Sequence, residues 1–364
     1  MCLIKLRRVS RVATLVLTAL GCILFLGGHS VAQSPRLVGT TYDRAQVLDW
    51  LGHTEFAVGR WDGSLSIFRI PNAGEFGPVI VQAMSAPSGH GIEMVVALDE
   101  LTMVSSDGPG QLSVWKRNSV TDQFVLADTL TYDSKFGTSE SAASTAVNGT
   151  QYLLTGQEDG HLLIWRKGSA HLFEVVAAVD LNSPNPIPSP LHLRNIRAVV
   201  PWRGDVVVTG SEDGDIVGVK LPTGSETFRV RYNQKAQRGI NNLSIVGDWL
   251  LLSNCSVGAS DKNVWLYDLS SGSPVLADAQ NLVLDSQRSQ VFNFDAILVD
   301  GGAGPAFFSS TEEGLLWRGK IDSNRLVVTG VTKVATDGGA ILRWDSKANL
   351  IAAVAYEIWL FGSN

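Results

Sequence analysis

The chain has 364 residues and a formal net charge of −6, with 45% apolar and only 18% charged residues. This is the composition of a folded globular protein and not of a disordered one. The negative balance excludes the broadly basic surface with which proteins bind nucleic-acid phosphates or anionic membranes.

The first 32 residues have the pattern of a secretory signal peptide. A basic start that includes Lys5 and Arg11 precedes a nearly unbroken apolar run over residues 12–28, and Ser30-Val31-Ala32 then offers a cleavage point. We expect cleavage there, a net charge of about −10, and a secreted or periplasmic protein. An uncleaved membrane anchor is one alternative, because about 17 apolar residues are the lower limit for a span, and lipid modification of Cys22 is another.

One hairpin pattern recurs through residues 33–364. Its clearest copy is YLLTGQEDGHLLIWRK, residues 152–167, in which two apolar runs flank the turn Asp159-Gly160. This pattern is a strong β-hairpin signal. Equivalent third-strand positions recur about every 40 to 54 residues, which is typical of four-stranded propeller blades. These positions are Phe68, Trp115, Trp165, Val219, Tyr267, Gly319 and Trp359.

The repeats predict an all-β fold, a single seven-bladed β-propeller. In chain order the predicted blades cover residues 45–84, 93–131, 141–180, 196–233, 240–284, 291–334 and 340–361. The last blade has only three strands, whereas a strand-like stretch, residues 37–42, precedes the first blade. We predict that this N-terminal strand completes the last blade, because an open ring would expose unpaired strand edges.

The repeated units resemble WD repeats over essentially all of residues 33–364. The small residues that end that family's second strand are matched by Thr155-Gly156 and Thr209-Gly210, and its tight turn by Asp159-Gly160 and Asp213-Gly214. Residues near its closing Trp-Asp are Trp115, Trp165 and Tyr267-Asp268. Its Gly-His opening is resembled by Gly52-His53 and Gly89-His90.

The resemblance implies a propeller that binds other proteins. The family also has a buried Asp–His–Ser–Trp hydrogen-bond network, but no unit here carries Gly-His, the turn Asp and Trp-Asp together. Residues 210–224 additionally resemble a quinoprotein-type repeat. A quinoprotein-like or lactonase-like enzyme, and an assembly scaffold of the outer envelope, are therefore the alternatives to an exported, non-enzymatic interaction platform.

Acidic residues at the repeated turns suggest where a partner with a basic surface would bind. Aspartate at such a turn caps its own backbone, but the neighbouring glutamates are not required by the turn. Trp61 also occupies a turn, where an aromatic ring has no core to fill and is suited to anchor an interface. The candidate interface residues are Trp61, Glu158, Asp159, Glu212, Asp213, Glu312 and Glu313.

No catalytic constellation accompanies the repeats. The sequence lacks a Gly-x-Ser-x-Gly motif, a phosphate-binding loop and a zinc-ligand spacing, so we predict no catalytic residue, metal or cofactor. An enzyme would need polar residues facing the channel, and the inner strands offer Asp49, Glu93, Asn148, Asn241, Asn242, Asn293 and Asp295. Asn293 and Asp295 stand two apart and should share one strand face, so they are the leading channel pair.

Overall fold

The computed structural model describes residues 36–40, 44–71, 79–169, 171–182, 194–232, 239–254, 261–284, 291–300, 304–335 and 338–362. All of them lie in one compact unit, Ser34–Ser363. The predicted signal peptide and Tyr42 lie outside the described residues. No helix among the described residues is long and apolar enough to cross a membrane.

The described strands form seven four-stranded antiparallel sheets. Strand β1 spans Arg36–Thr40. Blade one has β2 (Ala45–Trp50), β3 (Glu55–Arg60), β4 (Ser64–Arg69) and β5 (Val79–Ser85). Blade two has β6 (Val95–Asp99), β7 (Thr102–Ser106), β8 (Gln111–Lys116) and β9 (Val125–Thr131). Blade three has β10 (Ser139–Val147), β11 (Thr150–Gln157), β12 (His161–Lys167) and β13 (Phe173–Asp180).

The second half of the chain repeats the arrangement. Blade four has β14 (Ile196–Trp202), β15 (Val206–Ser211), β16 (Asp215–Lys220) and β17 (Ser225–Arg231). Blade five has β18 (Ile240–Val246), β19 (Trp249–Asn254), β20 (Val264–Asp268) and β21 (Val275–Gln280). Blade six has β22 (Asn293–Asp300), β23 (Pro305–Thr311), β24 (Leu315–Asp322) and β25 (Arg325–Lys333). Blade seven has β26 (Ile341–Asp345), β27 (Leu350–Val354) and β28 (Glu357–Gly362).

Strand β1 completes blade seven. It pairs antiparallel with β28, from Arg36 opposite Leu360 to Thr40 opposite Glu357. Val38 is only 5% exposed and packs in a cluster that includes Trp50 and Ile358. The inner strands contact one another in cyclic order, and β26 contacts β2. The prediction of a seven-bladed propeller closed by its N-terminal strand is therefore confirmed.

The repeated turns between second and third strands determine one face of the disc. Inner strands begin, second strands end and third strands begin on this face, which we call the turn face. Gly63, Gly160 and Gly214 in these turns have φ of 79°, 96° and 88°, a conformation that glycine adopts without steric cost. The Asp-Gly pairs of the sequence are thus explained by backbone geometry.

Side chains join neighbouring blades along the outer circumference. Gln82 on β5 bonds both the amide and the carbonyl of Phe124 at 2.7 Å. Asp128 on β9 accepts from the amide of Leu172 at 2.9 Å, and Asp278 on β21 accepts from that of Leu326 at 2.8 Å. Each bond satisfies a backbone group at the next outer strand.

Part of the network implied by the WD-repeat resemblance is present. The indole of Trp115 donates to Ser105 and that of Trp165 to Thr155, each at 3.0 Å. His90 contacts Ser88 at 3.1 Å and is exposed, so no buried histidine links the turn aspartate to the tryptophan there. Gly52-His53 lies between β2 and β3, on the face opposite the turn face. It therefore does not open a blade, and that part of the resemblance is wrong.

Candidate functional site

A β-bulge interrupts the start of five inner strands: β2, β10, β14, β18 and β22. The residue added by each bulge has no partner on the second strand, and a bulge changes the direction of a side chain. The five added residues are Gln46, Glu140, Arg197, Asn241 and Phe294. All five line one cavity of about 390 Å³, which we call the channel mouth.

The channel mouth opens on the turn face. Trp61 and Glu212 reach it from second–third turns, and Glu93 reaches it from just before β6. The sequence predicted residues 93–98 as the inner strand, but β6 begins at Val95. The hydroxyl of Ser106 instead accepts from the amides of Glu93 and Met94 at 2.9 and 3.2 Å. A second cavity of about 280 Å³ continues along the inner strands.

Carboxyl groups from blades two, three and four meet at the channel mouth around Arg197. A carboxylate oxygen of Glu140 accepts from Arg197 Nη1 at 2.6 Å, and its other oxygen accepts from Asn195 Nδ2 at 3.1 Å. Arg197 Nε lies 3.7 Å from Glu212 Oε1. The Glu140 side chain is only 7% exposed, whereas that of Arg197 is 38% exposed, so water reaches this ion pair from the guanidinium side.

Burial is the main cause that raises the pKa of Glu93 to about 8. A hydrogen bond with Glu140 and the negative charge of that residue raise it further, while Arg197 opposes the rise. Burial likewise raises the pKa of Glu212 to about 6, against the effect of Arg197. Two like charges in contact cannot both ionise readily, so Glu93 retains its proton at neutral pH.

This proton makes stability depend on pH. The pKa of Glu93 in the folded protein lies above its ordinary value of 4.5. The contribution of this carboxyl to the free energy of unfolding is therefore complete below pH 4.5 and is lost as the pH rises through about 8. Glu93→Gln should therefore flatten the fall in unfolding free energy between pH 5 and 8.5. After discounting for solvent screening, it should stabilise the protein at pH 8.5 by roughly 1 kcal/mol.

Urea unfolding at pH 5, 6.5 and 8.5 measures this effect. Glu174→Gln is the matched control, because Glu174 is exposed on the outer strand β13 and should leave the profile unchanged. Parallel profiles for the native protein and Glu93→Gln would contradict the assignment of this proton to Glu93.

The remaining carboxylates of the channel connect adjacent inner strands. Asp295 on β22 accepts from the amide of Leu342 at 2.8 Å and from Arg343 Nη1 at 3.0 Å, and it also accepts from Asn242 on β18. Asp49 on β2 accepts from the amide of Ala97 at 2.8 Å. Burial raises the pKa of both aspartates. These residues hold the ring of inner strands together.

Aromatic side chains occupy another part of the channel mouth. Trp61 is 58% exposed, and Phe292 and Phe294 lie with their ring centroids 6.4 Å apart. The Arg44 guanidinium lies 4.8 Å from the centroid of Phe294. Blades one and six thus supply rings, whereas three of the four carboxyl groups come from blades two to four and the fourth, that of Asp295, comes from blade six.

The predicted interface residues all lie on the turn face, but only Trp61 and Glu212 line the channel mouth. Glu158 accepts from the amide of Thr138 at 3.2 Å. Asp159 and Asp213 accept from the amides two residues ahead, each at 3.0 Å, and Asp213 is only 2% exposed. Glu312 and Glu313 belong to the turn of blade six, where Lys333 donates to the Glu313 carbonyl. Their role at an interface stays a prediction.

Most of the polar inner-strand residues that the sequence predicted to face the channel do line it. Asp49, Glu93, Asn241, Asn242 and Asp295 line the two cavities, as expected of inward polar residues.

The prediction that Asn293 and Asp295 form one channel pair is wrong. Asn293 is fully buried, donates to the Asn263 carbonyl and accepts from Ser309, both at 2.8 Å. Phe294, which the bulge adds between the two residues, lines the channel mouth instead.

Sequence reasoning missed Glu140, Arg197 and Arg343. Bulges bring Glu140 and Arg197 to the channel mouth, and the alternation of side chains along a strand does not reveal where a bulge occurs. Among the described residues, no group of three or more His, Cys, Asp or Glu side chains is arranged to hold a metal ion.

No protein-family model matches the chain, and no curated protein matches its sequence. Among solved structures, the WD40 β-propeller domain of Doa1 is similar, with a TM-score of 0.64 over 92% of this chain and 98% of that chain. The fold is that of a β-propeller. The sequence identity is 11%, so the likeness concerns the fold alone, and a propeller fold hosts many functions.

Proposed function

We propose that the protein is a non-enzymatic interaction platform, related to WD-repeat propellers, that works outside the cytoplasm and holds a protein partner on its turn face. One observation carries the proposal: the exposed ring of Trp61 lies on the wall of a cavity to which side chains of most blades contribute. A large aromatic side chain beside a concave, partly polar surface is a frequent anchor of protein interfaces.

The charge of the turn face supports a partner with a basic surface. Glu158 and Glu212 lie on this face and are partly exposed, and the chain as a whole is acidic. Complementary charge accelerates association and disfavours acidic competitors. Export rests on the basic, apolar and small-residue order of residues 1–32.

A photoreactive benzoylphenylalanine at position 61 tests the platform. After irradiation in the medium or periplasm of the producing cell, we expect a discrete protein conjugate. The matched control is position 120, because Val120 is an exposed apolar residue between β8 and β9, on the opposite face. Equal conjugates from both positions, or none from position 61, would contradict the proposal.

Trp61→Ala should lower the affinity for the captured partner at least tenfold, since anchor residues contribute 2 kcal/mol or more to the binding free energy. The melting temperature should stay unchanged, because the ring is exposed and substitutions at such sites change stability little. Val120→Ala should change neither quantity. Binding that survives Trp61→Ala intact would show that the anchor lies elsewhere.

A further inference from the structure

The channel mouth combines two features that recognise cations. Carboxyl groups on one side are Glu93, Glu140 and Glu212, and rings on the other are Trp61, Phe292 and Phe294. Carboxylates bind ammonium and guanidinium groups through charge-assisted hydrogen bonds, and aromatic faces attract the same groups. The volume, about 390 Å³, is at the lower end for ligand pockets. It has room for one long side chain or a small molecule.

The channel mouth also has more acids than cations. Four carboxyl groups line it, those of Glu93, Glu140, Glu212 and Asp295, against two guanidinium groups, those of Arg197 and Arg343. Arg343 is paired with Asp295 at 3.0 Å and Arg197 with Glu140 at 2.6 Å. Arg197 thus lies opposite three carboxyl groups, those of Glu93, Glu140 and Glu212.

Burial and the neighbouring Glu140 raise the pKa of Glu93 to about 8, so the Glu93 carboxyl carries a proton at neutral pH. The charged groups that act on Glu93 are Glu140, Arg197 and Glu158, and Glu212 contacts the same Arg197. A cation placed beside Glu93 would favour its ionised form and would so expel the proton.

We propose that the channel mouth binds a single ammonium or guanidinium group, that of a lysine or arginine side chain or of a free amine, between the carboxyl of Glu93 and the aromatic rings. This inference rests on the proposed function, because it names the partner group that enters the turn face. No covalent step is involved. One cation enters and one proton leaves to solvent, so the net charge of the site stays constant.

Four small probes test the exchange without any knowledge of the partner. They are the acetylated and amidated tripeptides Gly-Lys-Gly, Gly-Arg-Gly and Gly-Gln-Gly, and n-butylamine. The NMR signal of the Trp61 indole N–H, assigned by its loss in Trp61→Phe, reports binding. We expect both basic peptides to bind and the glutamine peptide not to bind. At pH values below the pKa of Glu93, the affinity for the basic peptides should rise about tenfold for each unit by which the pH increases.

Calorimetry in buffers of different ionisation enthalpy should show close to one proton released per cation bound at pH 7. Glu93→Gln should abolish the release and the pH dependence, and lower the affinity at pH 8 at least tenfold. Glu174→Gln should change neither. Lysine-peptide affinity at least tenfold above that of butylamine would identify a protein side chain as the ligand. Equal affinities would identify a free amine.

Two results would overturn the inference: a lysine peptide that binds no better than the glutamine peptide, or an unchanged pH dependence in Glu93→Gln. Failure of the probes while position 61 still cross-links a partner would reject only this inference. Binding of the probes with no partner cross-linked at position 61 would reject only the platform.

Discussion

A protein shortened to begin at residue 41, which lacks β1, should not form a stable monomeric ring, whereas one that begins at residue 34 should fold. Without β1, the strand β28 loses its hydrogen-bonded neighbour along four residue pairs and becomes an open edge. The buried side chain of Val38 also leaves the cluster around Ile358. Burying such a side chain stabilises by about 1.5–3 kcal/mol.

The loss from this one side chain is already a large fraction of the total stability of a typical domain, about 5–15 kcal/mol, and the lost strand pairing adds to it. Size-exclusion chromatography and thermal unfolding followed by circular dichroism measure the outcome, and the protein that begins at residue 34 is the control. Val38→Asp at full length should also lower the melting temperature strongly, because it places an unpaired charge in the same cluster. A monomeric shortened protein that melts at the control temperature would contradict ring closure by β1.

Arg117→Met should lower the unfolding free energy by about 3–5 kcal/mol, because it leaves a buried carboxylate without its partner. Arg117 Nη1 lies 2.7 Å from Glu55 Oε2, and the two side chains are only 3% and 12% exposed. The guanidinium also donates to the carbonyls of Glu100 and Val120, at 2.9 and 3.1 Å, and lies 4.5 Å from the Phe124 ring centroid. One side chain thus joins blades one and two.

Urea unfolding tests this effect, and a double mutant separates its causes. Glu55→Leu combined with Arg117→Met should recover much of the loss, because no charge is then buried alone. Lys220→Met is the control, since the Lys220–Asp205 pair is about half exposed and such pairs contribute about 0.2–1 kcal/mol. A loss below 1 kcal/mol for Arg117→Met would show that the pair is not the join between these blades.

The architecture was predictable because the repeat imposes it. A two-stranded hairpin is marginal alone, so seven copies at a propeller spacing require a closed arrangement. Because only the last predicted blade lacked a fourth strand, the unmatched strand at residues 37–42 could be assigned to it. The links between blades were not predictable in this way. Gln82, Asp128 and Asp278 lie on exposed outer strands, and nothing in the sequence separates them from solvated residues.

The site was predictable only in part. Trp61 stood out because a tryptophan in a turn has no core to fill, and Glu212 because the turn does not need it. Glu140 and Arg197 were missed because a bulge adds one residue, and a shift by one residue reverses the face of every side chain that follows. The same effect explains why Asn293 lies inside the blade while Phe294 faces the channel mouth.

Hydrogen exchange of the complex with the partner captured at position 61 shows whether binding occurs at the channel mouth on the turn face. We expect slower exchange in residues 60–64, 92–95, 138–141 and 211–215. Exchange should stay unchanged in residues 51–54 and 117–124 on the opposite face. Protection confined to the opposite face, or to the outer strands, would contradict binding at the channel mouth.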